Sequence, residues 1–283
     1  MKGALCRTFL GTAFLATLVG PVRALPSLAQ AATAQAAAVA TADTRPLTLK
    51  VYFMRKDKLV VAGRKVPATK AVGRAALLQL LSGPSPADKA RGMTTCVPPG
   101  TKLLGLSLAN GTATVDLTTS FANGGGSLSM TARLAQVVYT LTQFPTVSRV
   151  LFSMEGRRVT VFGGEGIMLD HPATRASFEY VTPAILVETP TPGQAVSSPV
   201  RVSGTANVFE ADFWAELTAS SGRVLSRRHV HASSGTGTRG TFSATLSYFS
   251  PKSQKGTLVA YDLSPKDGHR ENVVRVPITL SRS

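Results

Sequence analysis

Beyond Pro183 most apolar runs alternate with polar residues and are cut short by glycine, asparagine, aspartate or proline, a period of two that suits strands. Seven such runs follow one another, at residues 184–189, 199–205, 212–219, 223–231, 240–248, 256–264 and 272–281. In the last, Val274, Val276, Ile278 and Leu280 fall on one side and Arg275, Pro277, Thr279 and Ser281 on the other. Phe242, Ala244, Leu246 and Tyr248 repeat the pattern. In the third run Phe213, Ala215 and Leu217 share a face, which turns Trp214 and Glu216 outward. Short strands with turn residues between them predict an all-β sandwich of immunoglobulin type over 183–283, without the Cys…Trp…Cys spacing of antibody domains. Pro277 has no N–H to donate, so its strand is expected at a sheet edge.

Residues 47–182 mix the two periods. Leu47, Leu49, Val51 and Phe53 share one face of a strand. From Lys70 to Leu81 the spacing is helical, with Ala71, Ala75 and Leu78 on one stripe, Leu77 and Leu81 beside it, and Gly83-Pro84 as the stop. Residues 104–108 and 113–117 alternate around Asn110-Gly111, a pair suited to the positive φ of a type I′ turn. A second helix, capped by Ser127 or Ser129, carries Met130, Leu134, Val137, Leu141 and Phe144 on one stripe and ends at Pro145. Residues 147–154 and 159–162, turned by Glu155-Gly156, form another hairpin, and Gly163-Gly164-Glu165-Gly166 is a hairpin-end loop. The order β-α-β-β-α-β-β predicts an α+β domain with both helices on one face of a mixed sheet.

The N-terminus reads as a secretory signal over 1–31: a short basic region, an apolar run from Phe9 to Val19, then Gly20-Pro21. That run is too short for a permanent membrane span, which needs about 20 apolar residues. Ala24 and Ala31 end the two candidate cleavage sites, and the Ala-rich residues 32–46 read as a tether. Cys96 is then the single cysteine of the processed chain, a small half-buried side chain ahead of Pro98-Pro99, with an intermolecular disulfide as the alternative.

The formal charge is +16, of which +9 falls in 47–182 and +4 in 183–283. An exported protein meets anionic lipid head groups, phosphate-bearing wall polymers and peptidoglycan carboxylates rather than nucleic acid, so those are the expected counter-charges. Arg64-Lys65, Arg157-Arg158 and Arg227-Arg228 are the candidate anion-facing pairs, each weighed against an ordinary solvated face. Trp214 and Glu216, on the outer side of their sheet, are candidate partner anchors.

Several ordered motifs resemble a known pairing. Tyr52-Phe53, Leu80-Leu81-Ser82-Gly83-Pro84, Pro98-Pro99-Gly100-Thr101-Lys102, the Asn110-Gly111 hairpin into Ala113-Thr114-Val115-Asp116-Leu117, and the segment from Ala135 to Pro145 are similar to the GerMN domain of sporulation and germination proteins. The later strands, with the segment from Gly204 to Ala211 and Asp262-Leu263-Ser264-Pro265-Lys266-Asp267-Gly268, resemble the immunoglobulin-like domain that accompanies it. The resemblance implies a bacterial envelope protein whose domains serve binding or assembly, and it supplies no catalytic residues. Relatives of this kind are often lipoproteins; here Gly3-Ala4-Leu5 ahead of Cys6 does not make a lipobox.

No nucleophile with a neighbouring base, paired carboxylates or metal-ligand spacing stands out. His229 and His231 share a strand face beside Arg227-Arg228, where a solvated surface outweighs a metal site. Asp262 and Asp267-Gly268 read as turn residues in preference to calcium ligands, since Lys266 lies between them. The expected protein is therefore extracytoplasmic and non-catalytic, without cofactor or metal, and binds an envelope protein or an anionic polymer or lipid surface. A wall-modifying hydrolase with its site between the domains is the alternative.

Overall fold

A hairpin of β1 (Leu47–Arg55) and β2 (Lys58–Val66) opens the structure, turned by Lys56 and Asp57 at φ 50° and 59°. This computed structural model describes residues 45–283, so the expected signal and residues 32–44 of the tether lie outside the described residues. Strand β2 is absent from the sequence reading: Leu59-Val60-Val61-Ala62 is buried on both faces and does not alternate, and Gly63-Arg64-Lys65 interrupts it. Next come α1 (Val72–Leu81) and the five-residue α2 (Pro86–Ala90), which starts on a capping box between Ser85 and Asp88.

Strands β3 (Leu103–Ala109) and β4 (Thr112–Leu117) turn at Asn110-Gly111, both at positive φ as the sequence predicts. After α3 (Ser127–Leu141), β5 (Arg149–Met154) runs parallel to β4 and β6 (Arg157–Arg158) returns beside it, giving the mixed order β3-β4-β5-β6. Gly126, not a serine side chain, stands at the α3 N-cap. The run expected at 159–162 is divided: β7 (Val161–Phe162) pairs with β8 (Ile167–Met168) around the glycine-rich loop. A 3-10 stretch at Arg175–Val181 leads out of the domain.

Helix α1 corrects one expectation. It buries Ala76, Leu77 and Leu80 against β1 and α3, whereas Leu78 is 46% exposed. The helix is rich in alanine and leucine on two adjacent rows, and only its neighbours select which row is buried. Helix α3 ends at Leu141, short of the expected Phe144, which is half-buried beyond it; the helix buries Met130, Leu134, Val137 and Leu141 together with Gln136 and Thr140, both fully inaccessible.

Those polar groups face the outer edge of β1. In an antiparallel pair, alternate residues turn their N–H and C=O away from the partner strand. Tyr52 N–H donates to Thr140 Oγ1 at 3.3 Å, and Tyr52 C=O accepts from Gln136 Nε2 at 3.0 Å. Lys50 N–H donates to Gln143 Oε1 at 2.9 Å, and its C=O accepts from Gln143 Nε2 at 2.6 Å. Met54 exchanges both bonds with Thr94 at 2.8 Å. A helix face thus does the work of a neighbouring strand, as buried backbone polar groups require.

The second half is the expected sandwich. One sheet holds β10 (Ala195–Val196), β16 (Arg270–Leu280), β15 (Gln254–Leu263), β12 (Asp212–Ala219) and β13 (Val224–His231) in that order; the other holds β14 (Gly240–Leu246), β11 (Val200–Ala206) and β9 (Ile185–Thr189). Phe213, Ala215, Leu217, Leu258, Ala260, Val276 and Ile278 are buried between the sheets, and Phe213 meets Phe242 edge-on with centroids 4.9 Å apart. Strand β16 is an edge except where two-residue β10 covers Thr279 and Leu280. At Pro277 the outward C=O takes the Gly193 N–H at 2.7 Å.

The halves keep separate cores but are pinned together, with Leu186 of β9 buried in the core of the first. Arg239 clamps Glu179 through Nε and Nη2 at 2.8 and 2.9 Å and also donates to Pro183 C=O, while Asn207 Nδ2 adds a bond to Glu179 at 2.8 Å. The Arg239 hydrogen bonds hold the Glu179 carboxyl below its ordinary range. Arg175 donates to Glu188 at 2.8 Å, and the Tyr52 hydroxyl bonds the same carboxylate. Burial, then the Glu188 charge, pushes the Tyr52 phenol well above its ordinary value. Gly63 is the point of closest approach: a Cβ there would lie 2.5 Å from Thr191 Oγ1.

Candidate functional site

Strand alternation places Trp214 and Glu216 on the outer face of the five-stranded sheet, as expected, but Glu216 is only 1% exposed. Cross-strand neighbours cover it: Arg227 Nε lies 2.5 Å from Oε1, Arg270 reaches both oxygens at 3.0 and 3.2 Å, and Tyr261 Oη donates at 2.6 Å. The two guanidiniums lie over rings, Arg227 5.9 Å from the Trp214 centroid and Arg270 3.9 Å from that of Tyr261. Burial would raise the Glu216 carboxyl, yet the Tyr261 and Arg227 hydrogen bonds and the Arg270 charge bring it below its usual range. Glu216 is thus a buried counter-ion that fixes two arginines. Half-buried Trp214, with His229 edge-on at 5.1 Å, presents its ring beside a cationic surface.

The basic pairs part company. Arg64 is 14% exposed because it reaches Asp88 at 2.5 Å and packs 5.3 Å from the Phe53 centroid, tying β2 to α2, whereas its neighbour Lys65 is exposed. Arg157 and Arg158 are exposed on β6, with Arg158 donating to Asp170 C=O at 2.8 Å. Arg227 and Arg228 point to opposite faces, and Arg228 crosses to Thr245 C=O of β14. Of the sequence candidates, the structure brings together Trp214, Glu216 and Arg227.

The two histidines do acquire a carboxylate that the sequence reading did not see. Asp212 lies 2.7 Å from His231 Nδ1 and 3.6 Å from His229 Nε2. Among the described residues no group of three ligating side chains is disposed to hold a metal ion. Asp262 accepts from Asn272 Nδ2 through both oxygens at 3.0 Å, and Asp267 is hydrogen-bonded to His269. Half-buried Cys96 is free, its N–H donated to Gln136 Oε1 at 2.9 Å. Among the described residues no helix is long and apolar enough to cross a membrane.

The largest cavity described, about 520 Å³, is a groove between the two halves that the sequence reading did not locate. Its apolar walls come from β2 (Leu59, Val60, Val61), β9 (Ile185, Leu186, Val187) and β16 (Val274, Val276, Pro277). Arg55, Lys56, Lys58, Arg91 and Arg275 add positive charge, of which Arg91 lies 3.5 Å from Asp88 and Lys58 Nζ reaches Tyr180 C=O. The lining holds no carboxylate, imidazole, thiol or hydroxyl side chain. One signal of it was legible: Arg55-Lys56-Asp57-Lys58 concentrates three cations in a turn. The opposite wall lies far along the chain and left no local signature.

Comparisons with known proteins agree with this layout. The family described as sporulation and spore germination matches residues 50–160, and the immunoglobulin-like domain of bacterial spore germination matches 184–269. Among solved structures, the tandem GerMN domains of the sporulation protein GerM from Bacillus subtilis share 15% identity, with 84% of this chain and 61% of that one covered and a TM-score of 0.41. The first GerMN domain of the same protein shares 19% identity over 46% of this chain and 98% of that one, with a TM-score of 0.38. No curated protein matches. Residues 50–160 therefore belong to the sporulation and spore germination family, and residues 184–269 to the immunoglobulin-like domains of bacterial spore germination.

Proposed function

We propose that the chain is an exported, envelope-associated binding protein without a catalytic role, which engages an anionic envelope protein or polymer through its cationic surfaces. The groove carries this reading: five Lys and Arg side chains border apolar walls, with no carboxylate to oppose an incoming anion. The arginines that Glu216 fixes over Trp214 and Tyr261 offer a second cationic face. The hydrolase alternative needs a base or nucleophile between the domains, and the groove lining supplies neither a carboxylate nor a hydroxyl.

Co-sedimentation of the purified chain with isolated cell walls, phosphatidylglycerol vesicles and envelope extract tests the proposal. Binding at low salt that fades as ionic strength rises is the expected result, because exposed charges are screened over about 10 Å at 0.1 M. Absence of binding to all three would overturn it, as would release of soluble fragments from purified peptidoglycan.

A further inference from the structure

We infer that the open edge of β3 takes an extended, acidic peptide segment of a partner protein, which adds as a fifth strand to the sheet β3-β4-β5-β6. The inference rests on the binding reading above, at a surface apart from the groove, and names the kind of partner. Strand β3 ends its sheet, with no strand beyond it among the described residues. The two-residue turn at Asn110-Gly111 makes Ala109 and Thr112 the bonded pair that flanks it. Alternation then turns the N–H and C=O of Leu106 and Leu108 away from β4, just as Leu117 of β4 sends its C=O away from β3 to the Glu155 N–H. No described group bonds the backbone of Leu106 or Leu108. Solvent reaches this row: Leu108 is 51% exposed, and Ser107 and Ala109 on either side of it are exposed as well.

Strand β3, Leu103-Leu104-Gly105-Leu106-Ser107-Leu108-Ala109, contains no charge and no proline. Those are the devices by which sheet edges repel other chains, so this edge is left open to pairing. Leu106 and Leu108 lie opposite Val115 and Ala113 and share their core-facing side, yet the core does not cover them fully: with Val72 of α1, Leu141 of α3, Phe144 and Val147 they line a pocket of about 340 Å³. A strand added to β3 would send every second side chain toward that pocket. Lys70 and Arg74 border it, both exposed and without a described side-chain hydrogen bond or ion pair, and the lining holds no carboxylate. These cations and the formal charge of +16 oppose a second copy of the chain at this edge and select acidic residues on the incoming segment. A lipid tail or a wall phosphate would fill the pocket or meet the cations and leave the backbone row unpaired.

The test uses the purified chain and a short fluorescein-labelled peptide in which valine alternates with glutamate. Two twins are N-methylated, one at every valine and the other at every glutamate, and a third has lysine for glutamate. A strand beside β3 bonds it through alternate amides only. Saturable binding is therefore expected, weakened about tenfold or more in one N-methylated twin and less in the other, and about tenfold or more in the lysine twin. Amide exchange followed by NMR should slow about tenfold or more at Leu106 and Leu108 when the peptide binds. Arg74→Glu, at an exposed position, should weaken binding several-fold, while Trp214→Ala, on the outer face of the sandwich, should leave it unchanged. Equal binding of the parent and both N-methylated twins, or unchanged exchange at Leu106 and Leu108, would overturn strand addition; equal binding of the lysine twin would overturn the acidic partner. Protection of Leu106 and Leu108 that grows with protein concentration in the absence of peptide would assign the edge to a second copy of the chain, and tighter binding by a peptide of residues 32–44 would assign it to the chain's own N-terminal segment; either overturns the inference. Binding to walls, vesicles or envelope extract without binding to the peptide defeats this inference and leaves the proposed function standing; binding to none of them defeats both.

Discussion

The two strands of the opening hairpin carry the same kind of edge and are treated in opposite ways. The outer edge of β1 is closed by Gln136 and Thr140 of α3, by Gln143 just past its end and by Thr94, which together take every outward backbone group from Lys50 to Met54. The outer edge of β2 faces a groove bordered by lysine and arginine. Free edges invite association with other chains, and natural proteins cover them or guard them with charge. Both solutions occur here in one hairpin. The closed edge requires polar side chains within a buried helix and just past its end, at a spacing of four and then three residues. The guarded edge has charge at its rim, while Leu59 and Val61 along it are each only 2% exposed.

That contrast can be broken by mutation, and the largest effect is expected at the closed edge. Gln136→Leu strands the Tyr52 C=O and the Cys96 N–H in the core. At roughly 1–3 kcal/mol per unsatisfied buried group, urea denaturation should show a loss of about 3 kcal/mol. A neutral Gln136→Leu would mean that α3 does not seal β1. Thr140→Val keeps the shape and removes one 3.3 Å bond, so about 1 kcal/mol is expected in the same assay.

A smaller effect comes from the clamp between the halves. Glu179 has a lowered carboxyl in the folded state, so its contribution is present above its ordinary value of 4.5 and is lost as pH falls through the lowered one. Thermal melts taken from neutral pH down through that window should decline, and Arg239→Met should flatten the decline. The change is modest because the Glu179 side chain is 40% exposed and water screens the pair. Smallest of all should be Arg275→Ala at the guarded edge, within about 0.5 kcal/mol of the parent, since its side chain has no described hydrogen bond or ion pair to lose. A large loss there would show that the groove wall is structural.

Much of the sandwich was legible because it depends on neighbours in the chain. Alternation alone puts Phe213, Ala215 and Leu217 inside and Trp214 outside, and all four lie as read. The same rule put Glu216 outside but could not reveal that Arg270, 54 residues later, covers it. In α1, two apolar rows competed on equal local terms, and β2 lacked the period that betrays a half-buried strand because both its faces are covered. Asp212 reaches His231 because β12 and β13 pair in one register, which no spacing along the chain specifies.

The chain alone determined that its second half would be strands, where those strands turn, and which side chains look inward, since dihedral preferences and alternation act over a few bonds. Tertiary structure alone decided which edge of the first hairpin is sealed, which carboxylate is covered, and that three distant strands border one basic groove. Those outcomes depend on which groups meet across long separations in the chain, and no local pattern of residues encodes that meeting.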